Sequence, residues 1–101
     1  MLAEFSIIPI GSGSSIGDQL AAVLKIVDES GIPYRINPMG TVLEGEWNDI
    51  MKLIKKCHDE IMKREERAFI SITIDDRKNK PNRIAEKIAS VERRLGKKLS
   101  K

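Results

Sequence analysis

Between Tyr34 and Trp47 the chain fits a strand, a tight bend, a second strand and a helix start into fourteen residues, and few folds can use such a segment. Tyr34 and Ile36 alternate with Arg35 and Asn37; Pro38-Met39-Gly40 then turns the chain, and Leu43 and Glu44 take opposite sides of the returning strand. The hairpin so formed has one apolar face, Tyr34, Ile36 and Leu43, and one polar face, Arg35, Asn37 and Glu44. A core lies under the first, and the second is a polar floor.

The flanking sequence supplies what a hairpin needs in order to bury one face. Ala3 to Ile10 alternates Phe5, Ile7 and Pro9 with Glu4, Ser6, Ile8 and Ile10, and reads as a strand with Pro9 near its end or at a sheet edge. After Gly11-Ser12-Gly13-Ser14-Ser15, with Ser15 as N-cap, a helix carries Ile16, Leu20, Val23, Leu24 and Val27 and stops at Ser30-Gly31. A second helix begins at Glu46, and its stripe of Trp47, Ile50, Met51, Ile54, Cys57, His58 and Ile61 is predicted core. Ala68 to Asp75 alternates Ile70, Ile72 and Ile74 with Phe69, Ser71 and Thr73. A last helix, capped by Asn82 and ended by Gly96, shows Ile84, Ile88, Val91 and Leu95 on one face.

Strand, helix, strand, strand, helix, strand, helix is the order of an α+β, ferredoxin-like βαββαβ sandwich with an extra C-terminal helix, and 101 residues fill one such domain, 1–101. The two main helices then share one side of the sheet. The other side, expected to be uncovered, shows Glu4, Ser6, Ile8, Ile10, Arg35, Asn37, Met39, Val42, Glu44, Phe69, Ser71 and Thr73. Large apolar groups mixed with small hydroxyls and a carboxylate suit a sheet-on-sheet interface with a partly polar pocket.

Composition narrows the function classes. Eighteen basic and 15 acidic residues are interspersed, and none of the four aromatics lies among the basic runs to stack a base, so no nucleic-acid partner is expected. No apolar run approaches the ~20 residues that cross a bilayer, so no membrane partner is expected. Leu2-Ala3-Glu4-Phe5 lacks the basic start of a signal peptide, and one cysteine forms no internal disulfide; the expectation is a cytoplasmic protein.

No nucleophile-base pair, carboxylate dyad or metal-ligand cluster stands out, so neither catalysis, a metal nor a cofactor is expected. Cys57 and His58 are neighbours on a helix and point about 100° apart, which suits a structural role. Asp75-Asp76-Arg77 reads as a carboxylate–arginine clamp for the basic loop that follows. Ser12, Gly13, Ser14 and Ser15, between a strand and a helix, have backbone N–H groups that an anion could use, although the same composition serves a plain loop. Glu44, in mid-strand beside Val42, needs a partner: Arg35 across the hairpin, a subunit across an interface, or a ligand donor.

The hairpin Pro38-Met39-Gly40-Thr41…Glu44-Gly45-Glu46, the Cys57-His58 helix, the strand end Ile74-Asp75-Asp76-Arg77 and the closing Lys87…Val91-Glu92 together resemble the YkoF-like thiamine-binding protein family along nearly the whole chain. The resemblance implies the ferredoxin-like fold, sheet-mediated dimers or tetramers and, in some members, binding of thiamine or its hydroxymethylpyrimidine moiety without chemistry. The expected function is therefore non-catalytic small-molecule binding by a homo-oligomer. On the open face Glu44 would accept from the pyrimidine, with Asn37, Ser6, Ser71 and Thr73 completing the hydrogen bonds. The alternative is a structural or regulatory oligomer without a thiamine ligand, binding an anion at Ser12 to Ser15 if anything.

Overall fold

The computed structural model describes residues 1–11, 16–78 and 83–100. Along the chain come β1 (Leu2–Ile10), α1 (Ile16–Glu29), β2 (Tyr34–Asn37), β3 (Gly40–Glu44), α2 (Trp47–Met62), β4 (Arg67–Asp75) and α3 (Arg83–Leu95). The four strands form one antiparallel sheet in the order β2-β3-β1-β4. This is a small α+β domain of four strands and three helices, consistent with the ferredoxin-like plan. Gly31 and Gly96, just beyond α1 and α3, have φ of +79° and +72°, the left-handed conformation in which glycine ends a helix without steric cost. The expected caps Ser15 and Asn82 fall outside the described residues.

Alternation decides what each side of the sheet meets. Ala3, Phe5, Ile7 and Leu43 point to the face covered by α1 and α2 and join Val23, Val27, Ile50, Leu53, Ile54, Cys57 and Ile61 in the core. Tyr34, Ile36 and Ile72 share that face by register yet are exposed, because they lie on the outer strands β2 and β4. Two details of the expected helix stripes change. Leu53, not Trp47, completes the buried stripe of α2; Trp47 in the first turn is 51% exposed. In α1 the buried first-turn side chain is Gln19, whose amide Nε2 donates to Glu65 Oε1 at 2.8 Å, while Ile16 and Leu20 are exposed.

The second face of the sheet is not bare, as the sequence led one to expect. One side of α3 is apolar, and with α1 and α2 already filling the first face, α3 docks on one end of the second. Polar contacts help to hold it there. The backbone N–H of Ile84 donates to Glu44 Oε1 at 3.3 Å, and Lys87 Nζ lies 2.7 Å from Asp75 Oδ2. At the opposite end, Ile8, Ile10 and Phe69 are left exposed.

Candidate functional site

Beneath α3 lies a cavity of about 400 Å³, lined by Leu2, Ala3 and Glu4 of β1, Arg35 and Asn37 of β2, Val42 of β3, Thr73 and Asp75 of β4, and Ile84, Lys87 and Ile88 of α3. All four strands contribute to it. Its floor follows from register: Arg35 is opposite Val42, Val42 opposite Glu4 and Glu4 opposite Thr73, which makes one row across the sheet. Alternation turns all four side chains to the same side. The roof is the apolar edge of α3, Ile84 and Ile88.

Glu4 owes its place to Gly40. A Cβ at residue 40 would lie 3.2 Å from Glu4 Cγ and 3.2 Å from the Phe5 carbonyl oxygen, so the bare glycine backbone leaves the carboxylate stem room to lie across β3. Among the described residues no hydrogen bond or ion pair engages the Glu4 side chain. Arg35, half-buried, is likewise without one among the described residues.

The residues expected to bind a ligand are distributed unevenly. Asn37 and Thr73 enter the cavity. Glu44 stands at its end, where its carboxylate accepts from the first turn of α3; a carboxylate is favoured there because the free N–H groups of a helix start carry partial positive charge. Arg35 does not face Glu44 directly: its opposite residue is Val42, while Glu44 is opposite Leu2 of β1. Ser6 and Ser71 are opposite one another further along β1 and β4, outside the cavity lining. Ser12, Gly13, Ser14 and Ser15 lie outside the described residues.

Asp75 makes its clamp with Lys87 of α3, twelve residues on, so an ion pair predicted to order a loop fastens a helix. Glu4, Arg35 and Lys87 are among the cavity residues that sequence reasoning did not single out as ligand groups. The available signal was the open-face position of Glu4 in the β1 alternation.

A second cavity of about 340 Å³ separates α1 from the hairpin bend and takes in Ser6, Ile8, Leu20, Leu24, Ile36 and Met39. Among the described residues no charged side chain lines it, so it lacks the means to orient a polar ligand. Cys57 is fully buried between α1 and the sheet, and burial pushes its thiol up to about 11, so it stays protonated and unreactive at neutral pH. His58 is half-exposed, with Nδ1 3.1 Å from Asp59 Oδ1.

The profile of the thiamine-binding protein family matches residues 3–92, which take in all four strands but for Leu2 of β1, and most of α3. The chain belongs to the thiamine-binding protein family. Among its relatives, a UPF0045 protein of Methanocaldococcus jannaschii is 34% identical over 91 residues, covering 90% of this chain and 91% of its own. The UPF0045 protein YqgV of Bacillus subtilis is 36% identical over 100 residues, covering 93% and 96%. A crystal structure of the hypothetical protein from Methanocaldococcus jannaschii superposes with a TM-score of 0.81 at 34% identity, over 89% of this chain and 93% of that one. A protein of Thermotoga maritima proposed for thiamine biosynthesis or salvage reaches a TM-score of 0.78 over 89% and 96% of the two chains; at 19% identity it attests the fold alone. In this member of the thiamine-binding protein family, the cavity under α3 brings charged and apolar groups together.

Proposed function

We propose that this protein binds a thiamine-type aminopyrimidine in the cavity under α3, without transforming it, and works as a homo-oligomer. The observation that carries the reading is the carboxylate of Glu4 on the cavity floor, without a partner among the described residues, with Val42 on one side and Thr73 on the other. An aminopyrimidine presents an amino donor beside a ring nitrogen that can share a proton, and a carboxylate meets that pair with two hydrogen bonds. Val42 and Ile88 offer apolar surfaces for the ring faces, and Asn37 and Thr73 provide further polar contacts. Glu44 serves the site by holding α3 over it. The family's name supports the ligand class. No nucleophile-base pair lines the cavity among the described residues, which favours binding over chemistry.

Assembly is argued from the uncovered end of the second face. Ile8 is 44% and Phe69 57% exposed there, and a flat apolar surface of this kind on so small a chain is best buried against a second copy, sheet on sheet. Calorimetric titration with thiamine and with hydroxymethylpyrimidine tests the binding. Both should bind to wild type, and binding of neither would remove the reading.

A further inference from the structure

Among the described residues four ionisable side chains line the cavity under α3, and two of them already neutralise each other. Asp75 and Lys87 are 2.7 Å apart, so Lys87 has little charge left to offer a ligand. Arg35 and Glu4 are different. Neither has an ion-pair or hydrogen-bond partner among the described residues, and they do not reach each other. Register places them in one row with Val42 between, so two strand spacings, about 10 Å, separate their backbones.

An unpaired cation and an unpaired carboxylate at the two ends of an apolar floor describe a ligand from both sides. Its ring donors go to Glu4, its ring body lies over Val42, and its far end carries a negative group. A guanidinium is a planar fork of N–H donors that matches the oxygens of a phosphate two at a time, and on the walls of a partly apolar cavity the pairing is less screened than in open water. We infer that Arg35 makes the cavity selective for a phosphate ester of the aminopyrimidine ligand over the corresponding free alcohol. This rests on the thiamine-type reading of the cavity and adds the form of the ligand.

Titration calorimetry with thiamine, thiamine monophosphate and inorganic phosphate tests it, on wild type, Arg35→Gln, Arg35→Lys and the control Arg77→Gln, an exposed cation outside the cavity. Wild type should bind the monophosphate about tenfold or more tighter than thiamine, the usual worth of a charge-assisted pair. In Arg35→Gln the preference for the ester over thiamine should disappear; in Arg35→Lys, which keeps the charge and loses the fork, the preference should fall between. Arg77→Gln should behave as wild type, and added salt should narrow the wild-type preference. Inorganic phosphate alone should bind far more weakly than the ester.

Equal affinity for thiamine and its monophosphate in wild type, or a preference that survives in Arg35→Gln, overturns the assignment of Arg35 and leaves the thiamine reading standing. A drop in oligomer mass in Arg35→Gln with the ester preference intact overturns it too, and assigns Arg35 to a contact between copies. Binding of neither thiamine nor its ester removes the thiamine reading and this inference together.

Discussion

Glu4 is a short side chain on a central strand, and what it does depends on what its neighbours lack. Glu4→Gln keeps the shape and removes the charge, so affinity for thiamine should fall by about 1.5–3 kcal/mol, the worth of a hydrogen bond to a charged group. Stability should stay within roughly 0.5 kcal/mol, since the carboxylate is exposed and unpartnered among the described residues. Calorimetry beside a thermal melt reads both; an unchanged affinity would take Glu4 out of the site. The β1 alternation placed Glu4 correctly on the second face, but an acidic residue in a half-exposed strand looks like any solvated side chain. What sets it apart is Gly40 on the neighbouring strand, 36 positions away, and strand register is not a local property. Cys57 offers a separate check on the core. In the unfolded chain its thiol ionises near 9.0, whereas in the folded protein burial holds it protonated up to about 11. Above pH 9 the unfolded state therefore binds fewer protons than the folded one, and this thiol's contribution makes stability decline as pH rises toward 11. Denaturant unfolding of Cys57→Ala across that range should show a shallower decline than wild type; parallel curves would count against the buried thiol.

At the level of elements, most of the architecture was readable. Period-two alternation located all four strands, helical spacing located all three helices, and Gly31 and Gly96 marked the ends of α1 and α3. Where α3 docks was not readable. Its amphipathic pattern showed that one side must be buried without naming the surface, and the choice is made by long-range contacts to Glu44 and Asp75. For the same reason the candidate partners of Glu44, a ligand donor, Arg35 or a neighbouring subunit, omitted the N–H of Ile84. Glu44→Gln should weaken the attachment of α3 by about 0.5–2 kcal/mol, the range for a lost helix-start contact. Hydrogen exchange in 84–95 should accelerate in this variant while the core strands keep their protection. Exchange as slow as in wild type would mean that α3 is held by packing alone.

The molecule as a whole is a sheet with two helices on one side and a half-covered second side. If the exposed half is a contact between copies, light scattering at micromolar concentration should return at least twice the 11.4 kDa of one chain. Phe69→Lys, which puts a charge on the most exposed large apolar side chain of β4, should lower that mass without unfolding the protomer. A wild-type mass near 11.4 kDa would end the argument for sheet-mediated assembly. The cavity draws on the chain in a way that has practical reach. Leu2, Ala3 and Glu4 come from its first few residues, everything else in the lining from Arg35 onward, and the exposed turn at Ser30 and Gly31 lies between. Neither side of that turn holds half a pocket worth having. Expressed as two pieces, 1–30 and 31–101, the protein should take up ligand only when the pieces find each other, so the same division that destroys the site would make it a reporter of reassembly.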